Sequence, residues 1–77
     1  MSAELLEYLA RQLVDDPDAV RVEQFEEDGA LVLRLEVADG DVGKVIGRHG
    51  KVARALRTVM RASAGGDGQR VVVEIAD

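Results

Sequence analysis

Two runs of this chain alternate apolar and polar residues: 30–37, with Leu31, Leu33, Leu35 and Val37 on one face, and 70–75, with Val71, Val73 and Ile75 on one face. A period of two is the mark of a half-buried strand. The residues between the runs are patterned at helical spacing, so the two strands are joined through helices and not by a hairpin turn. A strand that returns to its own sheet in this way does so by a right-handed crossover and lies parallel to the first.

The rest of the chain hangs on that parallel pair. Residues 19–26 carry Val20, Val22 and Phe25, and Glu27-Asp28-Gly29 separates them from the run at 30–37. An Asp-Gly step between two β-prone runs predicts a hairpin, hence an antiparallel neighbour. The shift from even positions to Phe25 predicts a bulge or a frayed register there. Upstream, Leu5, Leu6, Leu9, Leu13 and Val14 recur at three- and four-residue spacing, with Ser2 as N-cap and Glu4 in the first turn, which predicts an amphipathic helix. Asp15-Asp16-Pro17-Asp18 ends it, because the residue before proline is pushed out of the α region.

Downstream, Ala38-Asp39-Gly40-Asp41 offers caps for a short helix in which Val42, Val45 and Ile46 face inward and Gly43 permits a close approach. Gly47 and Gly50 interrupt it. A second helix follows from Lys51 to Ser63, with Val52, Leu56, Val59 and Met60 on one side and Lys51, Arg54, Arg57 and Arg61 on the other. Gly65-Gly66-Asp67-Gly68 reads as a turn before the last strand. The expected architecture is α+β, in the order α-β-β-α-α-β, one domain over residues 1–77 with a three-stranded mixed sheet and helices on one face.

Charge is distributed unevenly over this framework. The formal net charge is -5, yet residues 44–61 hold six of the ten basic side chains and none of the fifteen acidic ones. Inside that island lies Gly47-Arg48-His49-Gly50. Two glycines three apart let the chain reverse at positive φ and let peptide groups approach a ligand closely. The helix that begins after them adds N–H groups and a partial positive charge, so the segment can hold a phosphate chain by geometry. Arg57 and Arg61, farther along the helix, are read either as solvated surface or as part of this feature. His49 is read either as a solvated side chain or as a phosphate contact.

Other chemistries are poorly supplied. The chain has no cysteine, which excludes disulfides and Cys-based metal sites and suits a reducing compartment. His49 is the only histidine, and the basic island offers no carboxylate or thiol to complete a metal site around it. The hydroxyls of Ser2, Thr58 and Ser63 have no evident base, and no two carboxylates stand out as a buried pair, so neither a catalytic site nor a cofactor is expected. Val52 after Lys51 stands where a nucleotide-binding P-loop needs Ser or Thr. No apolar run approaches the roughly 20 residues of a membrane span, and the first residues are acidic where a signal peptide is basic. The expectation is a soluble cytoplasmic protein.

The string Val45-Ile46-Gly47-Arg48-His49-Gly50-Lys51 between two helices, taken with the order of elements, resembles a KH domain. Because a helix and a strand precede the β-α-α-β core, the chain is similar to the type II, bacterial arrangement. Leu13-Val14-Asp15-Asp16-Pro17, Asp41-Val42-Gly43-Lys44-Val45-Ile46-Gly47 and Ala55-Leu56-Arg57-Thr58 extend the resemblance over the chain, to the small single-domain bacterial KH proteins of the KhpA type.

The resemblance implies binding of single-stranded RNA, with about four nucleotides held between the glycine loop and the edge of the sheet. It assigns the loop role to Gly47, Arg48, His49 and Gly50, adds Lys51 and Arg54 from the next helix, and makes Ile46 and Val45 groove or core aliphatics. Lys44, Val45 and Arg57 flank these as additional contacts. It also implies an RNA chaperone or post-transcriptional regulator, acting as a homodimer or with a larger KH protein, and linked in some bacteria to cell-shape and cell-wall control. A sequence pI near 4.7 is low for an RNA binder, so non-specific attraction is expected to be weak and help from a partner is expected. A second reading stays open: an interaction subunit whose fold mainly docks another KH chain or itself.

Overall fold

A computed structural model of the chain describes residues 2–64 and 69–76. Helix α1, Ser2–Leu13, buries Leu6 and Ala10 completely. Ser2 is its first helical residue, one position inside where a cap stands. The chain leaves α1 through a short 3-10 turn, Pro17–Ala19, closed by Ala19 N–H to Asp16 O and Val20 N–H to Pro17 O, both 3.2 Å. Proline suits this position because its fixed φ fits the start of a helical turn.

Strands β1, Arg21–Glu27, and β2, Ala30–Glu36, pair antiparallel around a two-residue turn. Asp28 and Gly29 have φ of 53° and 80°, the positive values a type I′ hairpin needs at both central positions. The register runs without interruption from Arg21 opposite Glu36 to Glu27 opposite Ala30. The bulge or frayed register expected at Phe25 is therefore absent. Phe25 lies on the sheet face turned away from the helices, opposite Val32, which is in turn opposite Val72. This apolar row crosses all three strands and leaves Val32 only 3% exposed. Beside it runs a charged row in which Arg34 meets Glu74 at 3.5 Å and Glu23 at 4.0 Å.

Strand β3, Val71–Ile75, lies parallel to β2, from Leu31 opposite Val71 to Leu35 opposite Ile75. The sheet order is β1-β2-β3, the mixed sheet expected from the crossover. The crossover consists of a 3-10 turn Asp39–Asp41, helix α2, Val42–Ile46, a 3-10 turn Arg48–Gly50 and helix α3, Lys51–Ala64. The turn expected at Gly65-Gly66-Asp67-Gly68 lies outside the described residues.

One core joins the layers. Leu6, Ala10, Val20, Leu33, Leu35, Val45, Leu56, Met60, Val71 and Val73 pack together between the sheet and the helices. Truncating Leu33 or Leu35 to alanine costs about 2–5 kcal/mol, a large share of what a domain of this size has. Two sequence expectations change here. Val59 is 44% exposed, while Ala53 is buried on the core side of α3. Gly43 permits no close approach, because a Cβ built there meets nothing within 4 Å. Among the described residues no helix is long and apolar enough to cross a membrane.

Candidate nucleic-acid interface

The glycine step is shaped by backbone sterics before any side chain enters. Gly47 ends α2 with φ 77° and ψ 170°, a region essentially closed to residues with a Cβ. A Cβ there would also lie 2.5 Å from Val52 Cγ2 and 2.8 Å from Val52 N. His49 follows in the left-handed region, φ 57° and ψ 24°, which histidine visits more readily than most residues. Gly50 has φ 76°, and a Cβ on it would meet only the Arg54 guanidinium, at 3.7 Å. Gly50 is thus demanded by conformation, and Gly47 by conformation and contact together.

The loop holds itself in shape. Gly47 N–H donates to Gly43 O at 2.9 Å and Gly50 N–H to Gly47 O at 3.1 Å, while Lys51 N–H donates to Arg48 O. Some N–H groups expected to face a ligand are therefore used internally. Those of Arg48 and His49, at the tip, stay outside this bonding.

Around the tip the basic side chains are exposed and unpaired by acids. Arg48, His49, Lys51 and Arg54 are all exposed. Among the described residues, ion pairs engage Arg11, Arg34 and Lys44, and none engages Arg48, Lys51, Arg54, Arg57 or Arg61. No acid occupies the first turn of α3, and Lys51 opens it. A cation there opposes the helix dipole, which favours anions at a helix N-terminus. An anion bound from outside relieves that conflict.

The flanking candidates separate. Val45 is 0% exposed, so its side chain belongs to the core and offers no surface to a ligand. Ile46 is half-buried beside the loop. Arg57 is half-buried and donates from Nε to Val73 O at 3.4 Å. Alternate residues of β3 face β2, as Arg70 O accepting from Leu31 and Ala76 N–H donating to Leu35 show, so Val73 O points to the open sheet edge. Arg57 thus links α3 to that edge, a relation that sequence spacing did not reveal.

Lys44 is held by acids. Its Nζ lies 3.2 Å from Asp41 Oδ1 and 3.2 Å from Asp15 Oδ2. These carboxylates raise the Lys44 pKa above the ordinary lysine value, the hydrogen bond to Asp41 being the largest single cause and the hydrogen bond to Asp15 the next. Asp41 also accepts Asp16 N–H on Oδ2 at 3.0 Å. Burial works to raise the Asp41 pKa, but the N–H groups of Asp16 and Asp15 and the Lys44 ammonium outweigh it and hold the carboxyl below its usual value. Sequence reading took Asp41 only as part of a cap for α2, and it stands at the N-cap position without making a side-chain capping bond; its spacing of three from Lys44 on a helical segment was the one local hint of the ion pair.

Comparison with known proteins agrees with this architecture. The KhpA/KhpB KH-domain profile matches residues 3–75. The RNA-binding protein KhpA of Treponema pallidum is 51% identical over 77 residues, covering 100% of this chain and 96% of the relative. The RNA-binding protein KhpA of Clostridium acetobutylicum is 49% identical over 72 residues, covering 94% of this chain and 96% of the relative. Among solved structures, Era in complex with MgGDPNP and nucleotides 1506–1542 of 16S ribosomal RNA superposes with a TM-score of 0.65 at 21% identity, over 96% of this chain and 28% of that one. At that identity the likeness concerns the fold, and the α-β-β-α-α-β order seen here, with a three-stranded mixed sheet and three helices, is the type II KH arrangement. The chain belongs to the KhpA/KhpB KH-domain family.

Proposed function

We propose that this protein binds single-stranded RNA by gripping the phosphate chain at residues 47–50, as an RNA chaperone or post-transcriptional regulator. The observation that carries this reading is the set of exposed cations Arg48, Lys51 and Arg54, free of acid partners, around a loop whose glycines hold the positive-φ turn between α2 and α3. Phosphates meet the N–H groups of Arg48 and His49 and the nearby cations, while bases lie toward Ile46, Arg57 and the open edge of β3. The named relatives are RNA-binding proteins, which supports the ligand class. Titrating a labelled mixed-sequence single strand, and the same sequence as a duplex, tests it. Preferential binding of the single strand is expected, and no binding to either contradicts it.

A second observation favours pairing with another copy of this chain. Leu9, Leu13, Val52, Ala55, Leu56 and Val59, with Gln12, line an apolar groove between α1 and α3. No charged residue lines it, so two copies of an acidic chain meet there without setting like charges face to face. Heterodimerisation with a larger KH protein is the other outcome that a sedimentation and pull-down experiment distinguishes.

A further inference from the structure

We infer that Asp41 is the positioning residue of the glycine loop: its carboxylate fastens the start of α2 to the segment after α1 and so fixes where residues 47–50 stand. The inference rests on the RNA-binding reading above and deepens it. Asp41 is 4% exposed and is the one buried polar or charged residue among the described residues. Both its oxygens are engaged, Oδ2 by Asp16 N–H at 3.0 Å and Oδ1 by Lys44 Nζ at 3.2 Å. Lys44 in turn reaches Asp15 Oδ2 at 3.2 Å. The clamp therefore spans 25 residues of sequence and ties together the two segments that flank the β1–β2 hairpin.

The geometry excludes the ordinary role for an aspartate at this point. Asp41 stands at the N-cap position of α2, where its side chain would normally accept an N–H of its own helix. It makes no such bond. Its Oδ2 is turned to the Asp16 N–H and its Oδ1 to the Lys44 ammonium, which leaves the backbone N–H groups of α2 uncapped by its side chain.

Helix α2 needs that external hold. It has five residues, far below the roughly 12–15 at which an isolated helix is even marginal, so its direction must come from contacts at its two ends. Val45 packs into the core, and the Asp41 clamp secures the other end. From there the connection to the loop is short: Gly43 O accepts Gly47 N–H at 2.9 Å, and Gly47 O accepts Gly50 N–H at 3.1 Å. Asp41 acts through these links and does not itself contact RNA.

The test uses Asp41→Asn in the full chain. The amide keeps the side-chain shape and an acceptor for Asp16, but removes the charge and turns an NH2 group toward Lys44. Two quantities are read at a temperature where circular dichroism shows parent and variant fully folded. One is the affinity and salt slope for a labelled single-stranded RNA. The other is amide exchange at Gly50 and Lys51, whose N–H groups close the turn, relative to amides of β2.

Loss of affinity by about tenfold, a shallower salt slope, and exchange at Gly50 and Lys51 faster by at least fivefold support the inference. A merely stabilising role would leave all three unchanged in a fully folded sample. A variant that keeps the parent's affinity, or keeps its exchange at these two amides, overturns the inference. If the parent itself does not bind RNA, the RNA reading fails, and exchange at Gly50 and Lys51 alone decides the positioning. If Asp41→Asn does not fold, Asp15→Asn, which alters an exposed member of the clamp, decides by the same exchange measurement: faster supports, unchanged overturns.

Discussion

A Cβ built on Gly47 lies 2.5 Å from Cγ2 of Val52, so the first turn of α3 packs directly onto the backbone where α2 stops. The tip of the loop is thereby set against a helix N-terminus, and the position tolerates only the smallest residue. Gly50 stands three residues later without any such neighbour. The two glycines of one motif thus answer to different physical demands.

That difference is measurable. Gly47→Ala combines a backbone conformation closed to L-residues with a clash against Val52 and is expected to cost about 3 kcal/mol or more. Gly50→Ala carries only the left-handed conformation, at about 1–2 kcal/mol. Urea denaturation of both variants checks this, and equal losses would contradict it.

The clamp around Asp41 predicts a particular pH dependence. The folded-state pKa of Asp41 is depressed, so its contribution is present above the unfolded value of about 3.9 and is lost as pH falls through the folded value. The Lys44 pKa is raised, so its contribution is present below the unfolded value of about 10.4 and is lost as pH rises through the folded value. Lys44 and the N–H groups of Asp15 and Asp16 face the Asp41 carboxylate, and Asp15 faces Lys44. Thermal unfolding of parent and Asp41→Asn between about pH 2.5 and 7 should show the gap in Tm shrinking below about pH 4. A gap of the same size at pH 3 and pH 7 contradicts the account.

Binding through Arg48, Lys51 and Arg54 should be electrostatic. With about three or four phosphate contacts, log affinity falls with log salt at a slope of roughly -2 to -3 on a single strand. A titration in increasing KCl measures the slope. Salt-independent binding would favour the interaction-subunit reading.

Self-association should depend on the groove between α1 and α3. Val59 is 44% exposed there, so Val59→Asp removes little burial yet sets a charge into the apolar lining. Sedimentation over a range of concentrations is expected to show the parent associating and the variant monomeric. A parent that stays monomeric at every concentration removes this interface.

What the sequence disclosed follows from how local each cause is. The hairpin was legible because Asp28-Gly29 supplies positive φ at adjacent positions, and the parallel pair because two alternating runs flank helical spacing. Phe25 was misread because a sheet with helices on one face was expected to be apolar on that face alone; the row Phe25, Val32 and Val72 covers the other. Val59 was assigned to the core by helical angle, yet the core stripe of α3 is centred on Ala53, Leu56 and Met60. Asp41 and Arg57 owe their roles to partners far away in sequence, Asp16 and Val73, and no periodicity encodes such pairs.

The loop's part in binding is tested most directly by replacing Arg48 and His49 together with Asp and measuring single-stranded RNA affinity beside thermal stability. Both side chains are exposed, and aspartate accepts the left-handed conformation at position 49 more readily than most residues, so Tm should shift by no more than about 0.5 kcal/mol of stability implies. Reversing the charge at the phosphate should weaken binding by on the order of a hundredfold or more, about 3 kcal/mol. A double variant that keeps its Tm and binds RNA like the parent would contradict the placement of the site at residues 47–50.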